Sequence, residues 1–395
     1  MALAFILLTV FIDMLGLGLL LPVIPFVVRQ FTTSAFAVGA LSMSFAVFQF
    51  FAAPVMGRLS DRYGRRPLLL ISLLGSAAGY LVFGLARSLP WLFAARIVDG
   101  VSGGNMSIAQ AYIADVTDPA HRSRNFGLFG AAIGLGFILG PAIGGATAHV
   151  WGLAAPAYLA AGLALANAAF GAVVLPETRI ASEERPTPLD WQTLNPITGI
   201  LRGLTHRDLG LLFIVIFAYN VAYSGWQSNF ALYTLVRFHW SAQDNALLFS
   251  AIGLTSAITQ ALIVRRLAQR TDDLTIAIAG LAIQAAAYIL TALAPTTAWL
   301  YGASVVAALG LGITIPTLQG ALSAAVSAQE QGVVLGAAQS IASLTRIIGP
   351  LWAGLTFDWL GPRTPYWSGA LLFALGCAFT VHARRQRGRQ VMAGS

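Results

Sequence analysis

The chain has 395 residues, 57% hydrophobic and 10% charged, with a net charge of +8. A soluble domain carries about 25% charged residues, so this composition excludes a water-soluble globular protein and points to lipid as the main solvent. All 23 basic residues are arginine. With no lysine there is no phosphate-cradling Gly-Lys-Ser/Thr loop, and with a single cysteine, Cys377, there is neither a disulfide framework nor a thiolate metal cage.

Taken in chain order, apolar stretches long enough to span a bilayer fall at 2–28, 36–57, 67–86, 90–114, 123–147, 152–175, 207–236, 243–264, 273–293, 297–322, 332–357 and 364–383. The expected fold class is therefore an all-α membrane protein of 12 transmembrane helices. The first span begins at once, with no basic n-region and no small-residue cleavage site, and reads as a retained helix rather than a removable signal. The breaks carry proline, glycine or charge, as at Ser88-Leu89-Pro90 and Gly361-Pro362-Arg363.

Alternate loops hold 17 arginines against 4. Arginine excess marks cytoplasmic loops, so both termini are expected inside. Trp91, Trp151, Trp240, Trp299, Trp359 and Trp367 sit at the opposite ends, as an outer aromatic belt would. The longest polar stretch, 176–206, divides the chain into a bundle over 1–175 and a bundle over 207–383. It reads as a cytoplasmic linker with an amphipathic piece near Trp191–Leu204, and 384–395 as a basic cytoplasmic tail. The halves repeat. Arg58-Leu59-Ser60-Asp61-Arg62 returns as Arg266-Leu267-Ala268-Gln269-Arg270, an offset of 208, and Gly140-Pro141 returns as Gly349-Pro350 at 209.

Chemistry-bearing residues inside the spans are few. Asp13 stands mid-span, where a carboxylate is costly unless paired, neutral or solvated. It serves either a functional role or a hydrogen bond that holds helices together. Arg96 and Asp99, three apart, share a helix face and can form an internal ion pair. Gly57, Arg58, Asp61, Arg62, Gly64, Arg65 and Arg66 crowd the loop between the second and third spans, and Asp115 is placed to pair with Arg65 or Arg62. Gly127, Gly136, Gly140, Pro141, Gly144 and Gly145 give the fifth span the small residues that let helices approach, with a proline to kink it. Arg346 is the unusual cation of the second half and could bind an anion. Gln49, Asn105, Gln110, Asn220, Tyr223, Trp226, Gln227, Gln284, Gln319 and Gln339 are candidates for a substrate cavity, or for interhelical hydrogen bonds.

The loop string Gly57–Pro67, the fifth-span glycine pattern, Asp13-x2-Gly16-x-Gly18 with Pro22 and Pro25, and Arg96-x3-Gly100 together resemble the drug/proton antiporters of the major facilitator superfamily. Gly312–Gly320 and Gln331–Gly336 resemble its tetracycline exporters. The resemblance implies two pseudo-symmetric six-helix bundles with a site near the midplane. It implies a cytoplasmic gate at Gly57–Arg66 with Asp115, and proton coupling through Asp13, Arg96 and Asp99. It departs at Gly79, Gln284 and Ser256, where tetracycline exporters carry two aspartates and a histidine, which argues against exchange of a tetracycline–metal chelate.

The expected function is secondary transport, proton-coupled efflux of small amphipathic compounds by alternating access. Its partners are a small-molecule substrate, protons and the bilayer. No cofactor, metal, nucleic acid or enzyme activity is expected; the place is the bacterial inner membrane, and the state monomeric. The alternatives are transport of an organic anion, lipid-like molecule or metabolite through Arg346, and a non-transporting membrane receptor.

Overall fold

The computed structural model describes residues 2–118, 121–178, 209–326 and 330–394. The expected linker beyond residue 178, its amphipathic piece at Trp191–Leu204 and residue 395 lie outside them.

Backbone groups in hydrocarbon must be satisfied within the segment, so a spanning chain becomes helical. The first half comprises α1 (Ala2–Leu20), α2 (Ile24–Val28), α3 (Ala35–Tyr63), α4 (Arg65–Gly84), α5 (Leu89–Ser102), α6 (Asn105–Val116), α7 (Arg122–Trp151) and α8 (Ala155–Val174). The second comprises α9 (Gly210–Phe238), α10 (Ala242–Ile258), a π-helical turn (Thr259–Val264), α11 (Arg265–Ala268), α12 (Asp273–Leu293), α13 (Thr297–Ser323), α14 (Gln331–Leu360) and α15 (Thr364–Gly394). Among the described residues, eleven helical segments are long and apolar enough to cross a membrane, with α10 running through the π turn into α11. The remaining crossing is shared by α5 and α6.

Two predicted spans are broken. The first, expected over 2–28, ends as α1 at Leu20 and resumes as α2 at Ile24. Pro22 lacks a backbone donor, and Pro25 lies in the first turn of α2, where a missing N–H costs nothing. The fourth, expected as one helix over 90–114, stops at Ser102 and restarts at Asn105. The second span runs beyond its expected end at 57 to Tyr63, so Arg58, Asp61 and Arg62 are helical and only Gly64 separates α3 from α4. Gly64 has φ +101°, a region that a side chain rarely enters.

The chain divides into two compact units. In the first, Met1–Pro196 with Trp240–Ser250, α1 packs on α7 and α8, and α4 packs on α5 and α8. Its core joins Phe5, Ile6 and Val10 of α1 to Leu69 and Leu73 of α4 and to Ile108, Tyr112 and Ile113 of α6. In the second, Ile197–His239 with Ala251–Ser395, α9 packs on α14 and α15, and α12 packs on α13 and α15. Aromatic pairs fill that core, Tyr233 with Tyr366 at 4.5 Å and Tyr288 with Phe373 at 4.8 Å between centroids.

Candidate functional site: a polar cluster at a helix break

Inside the first unit, four helices bring polar side chains together. Arg96 and Asp99 on α5 form an ion pair and are 4% and 2% exposed. The Ser76 hydroxyl of α4 donates to the same carboxylate. The Arg96 guanidinium lies between two rings, 5.0 Å from the Phe45 centroid and 5.7 Å from that of Phe83. The negative ring faces help to replace the water such a cation has lost. Asp13 on α1 is half-buried and accepts a hydrogen bond from Asn105 Nδ2 at 2.5 Å. It lies within electrostatic reach of Asp99, and Tyr80 of α4 senses Asp13, Asp99 and Arg96 together. A paired Arg–Asp and a separate hydrogen-bonded carboxylate can exchange a proton or a counter-charge without exposing a bare ion to lipid.

Side chains from neighbouring helices, and one from α6 itself, satisfy the break. Gln49 donates to the Gly103 carbonyl at 3.3 Å, and Ser72 donates to that of Ser102. Ser107 donates to the Gly104 carbonyl at 2.7 Å and to that of Ala53 at 3.2 Å. A methyl at Gly103 would lie 2.9 Å from Gln49 Nε2, so the glycine admits that side chain.

At the α3–α4 turn, Arg65 is 6% exposed. Its Nε donates to Asp115 Oδ2 at 3.0 Å, and its Nη1 reaches Asp61 at 2.7 Å and Ser60 Oγ at 2.8 Å. Arg62 lies over Tyr63 at 5.3 Å, Arg66 donates to the Ala172 carbonyl, and Arg58 is half-buried. Gly57 lies inside α3 rather than at its end. A methyl there would meet Ser107 Oγ at 3.8 Å, an ordinary contact, so Gly57 is not a point of unusually close approach.

On α7, a methyl at Gly136 would lie 2.6 Å from Met14 Cβ, and one at Gly140 would lie 2.7 Å from Gly18 Cα. Gly144 lies against the Leu19 backbone, and Gly145 against Gln243 and Ala246 of the first unit. Pro141 stands inside α7 with its Cδ over Gly18. Gly127 departs from the packing expected of it, since no atom lies within 4 Å of a methyl placed there.

In the second unit Arg346 of α14 is half-buried and donates to Ser343 Oγ at 2.8 Å. Tyr223 stacks on Tyr219 and Trp226 along α9, Asn220 donates to the Ile216 carbonyl, and Gln227 is half-buried. Gln284 is buried beside Tyr219. Gln110, Gln319 and Gln339 are exposed. Sequence reasoning missed several members of these clusters, among them Tyr80, Ser76 and Glu177. Tyr80 and Ser76 sit one turn apart on α4, a spacing that any helix face offers. Glu177, counted only as a linker acid, accepts the backbone N–H groups of Arg65 and Arg66.

Membrane-spanning helices and a charged cluster built around a broken helix define a secondary transporter. The family model described as Major Facilitator Superfamily matches residues 6–350 and 275–391. The chain belongs to the major facilitator superfamily. It is 37% identical over 355 residues to the tetracycline resistance protein, class C, of Escherichia coli, covering 89% of this chain and 88% of that one. It is 28% identical over 380 residues to multidrug resistance protein 1 of Bacillus subtilis (strain 168), covering 96% and 95%. Among solved structures it is similar to the human organic anion transporter MFSD10 (TETRAN), with a TM-score of 0.72 and 25% identity over 96% of this chain and 98% of that one.

Proposed function

We propose that the protein exports small amphipathic compounds in exchange for protons, by alternating access between two six-helix bundles, 1–175 and 207–383. The observation that carries this reading is the cluster of Asp13, Asn105, Arg96 and Asp99, ionisable chemistry kept inside membrane-spanning helices where it is costly. The similarity to tetracycline and multidrug resistance proteins supports the direction and the cargo class. The resemblance implies acids at the positions of Gly79 and Gln284 and a histidine near Ser256 in tetracycline exporters, so the reading does not extend to a tetracycline–metal chelate. On this reading the α3–α4 turn, the 176–206 linker, the 384–395 tail and both termini face the cytoplasm, which the arginine excess of those segments supports, and the protein works as a monomer in a bacterial inner membrane. Arg65, Asp61 and Asp115, with the other charged residues of that turn, then form the inner gate, and Gly136, Gly140, Gly144 and Gly145 of α7 a packing seam. Gln49 and Gln110 of the first unit, and Asn220, Tyr223, Trp226, Gln227, Gln319 and Gln339 of the second, are the candidates for contact with substrate.

In proteoliposomes holding a pH dye, ethidium should drive proton movement that Asp13→Asn with Asp99→Asn abolishes. Coupling that survives the double substitution would sink the proton assignment.

A second reading rests on Arg346. Among the described residues this guanidinium donates to a serine and to no carboxylate, and the structurally similar MFSD10 is an organic anion transporter. Arg346→Ala should then abolish binding of an aromatic carboxylate such as p-aminohippurate while leaving the thermal midpoint in place. Undiminished binding removes this reading.

A further inference from the structure

We propose that Asn105 is a positioning residue for the Asp13 carboxyl, brought there by the Gly103–Gly104 break, and that it makes no part of the substrate surface. The inference rests on the proton-coupling reading of Asp13.

Asn105 is 4% exposed, and both of its amide atoms are engaged. Its Oδ1 accepts the Met106 N–H at 2.9 Å, and its Nδ2 donates to Asp13 Oδ1 at 2.5 Å. A substrate would find a buried side chain whose carbonyl is already taken. The position follows from the break. Asn105 is the first residue of α6, a helix of 12 residues, so the positive end of that helix lies where the Asp13 carboxylate is held. In an unbroken span the N–H groups of this turn would be consumed by the preceding one, and no helix end would face α1. Gln49, Ser72 and Ser107 stabilise the interruption by taking up the carbonyls of Gly103, Ser102 and Gly104.

The ionisable groups around Asp13 are few. α5 contributes the Arg96–Asp99 pair and α4 contributes Tyr80. Those of α6 (Tyr112, Asp115), α7 (Arg124, His149) and α8 (Tyr158) lie toward the helix ends. With Asp99 already paired, the Asn105 amide is the donor that favours an ionised Asp13, and the positive end of α6 acts in the same direction. Proton uptake by Asp13 would weaken its hold on α6 while the Arg96–Asp99 pair stays on α5. The break thus separates the element that senses the proton from the one that keeps a fixed pair.

The test is an infrared pH titration of the full-length protein in nanodiscs. The band of Asp13 is the carboxyl band that Asp13→Asn removes. Asn105→Ala should move its midpoint to higher pH by about one unit, the size of one lost charge-assisted hydrogen bond. Asn105→Ser, which keeps a donor, should restore at least part of the shift and carries the test if the alanine variant does not fold. The KM for ethidium should be unchanged in either variant. An unmoved midpoint, or a raised KM at an unmoved midpoint, overturns the inference. If Asp13→Asn removes no titrating band from the wild-type spectrum, the proton reading of Asp13 fails first and takes this inference with it.

Discussion

The Glu177 carboxylate accepts the backbone N–H of Arg65 at 2.9 Å and that of Arg66 at 3.2 Å, capping the start of α4 from a position just past the end of α8. The residue that would ordinarily supply such a cap is Gly64, which has no side chain. The repeat offset of 208 that carries Arg62 to Arg270 carries Gly64 to Asp272 and Glu177 to Arg385. In the second half Asp272 caps α12 itself, accepting the Thr275 N–H at 2.9 Å, and Arg384 reaches back to it at 3.2 Å. The two halves thus stabilise equivalent helix starts with opposite placements of charge.

Removing the distant cap should be felt locally. Glu177→Ala leaves two N–H groups at the α4 terminus without their acceptor and should destabilise the first unit by about 1 kcal/mol. A drop of about 2–4 °C in thermal midpoint would register it. Glu177→Gln, with one amide oxygen, should recover part of that. Equal midpoints for wild type and Glu177→Ala would show that the cap contributes nothing.

The second cap gives a pH dependence. Burial, the largest single effect, pushes the Asp272 carboxyl up, but the hydrogen bonds from Thr275 and the Arg384 guanidinium together hold it below the usual carboxylate value. A depressed carboxyl stabilises the fold above its unfolded pKa of about 3.9 and loses that contribution as pH falls through the folded value. Asp272→Asn should therefore lower the midpoint at pH 7 and converge on wild type in acid below about pH 4. A difference that persists undiminished there would exclude an ionic origin.

The Arg96–Asp99 pair can be separated into charge and packing. Arg96→Met leaves a carboxylate that is 2% exposed without its cation and should cost about 3–5 kcal/mol. Adding Asp99→Asn removes the orphaned charge and should return most of that stability, though not transport. Denaturant midpoints in detergent distinguish the cases. A double variant as unstable as the single would place the cost in the lost contacts with Phe45 and Phe83.

Not all glycines of α7 are equivalent. Gly140→Leu must displace the α1 backbone at Gly18 and should cost about 1–3 kcal/mol in overpacking, with transport lost. Gly127→Ala meets nothing within 4 Å and should stabilise α7 by up to about 1 kcal/mol through helix propensity alone. Comparable losses for both would mean that Gly127 packs against a surface formed in another stage of the transport cycle.

The twelve crossings were legible in the sequence because hydrocarbon leaves the backbone one local solution, and local hydrogen bonding needs no knowledge of neighbours. The pairing of Arg96 with Asp99 was legible for the same reason, since helix geometry alone fixes residues three apart. The stop at Ser102 was not, because Gly103 and Gly104 are as apolar as a helix interior. What holds the interruption open are donors from Gln49 and Ser72, more than 25 residues away in the chain. The capping role of Glu177 and the seat of Asn105 against Asp13 were equally hidden. Each depends on a partner roughly a hundred residues distant, 112 and 92 positions respectively. Composition and periodicity thus determine that the chain enters a membrane and where it crosses. Which carboxyl meets which donor was decided only when the helices packed, because an interhelical hydrogen bond depends on rotation and depth that no single helix encodes.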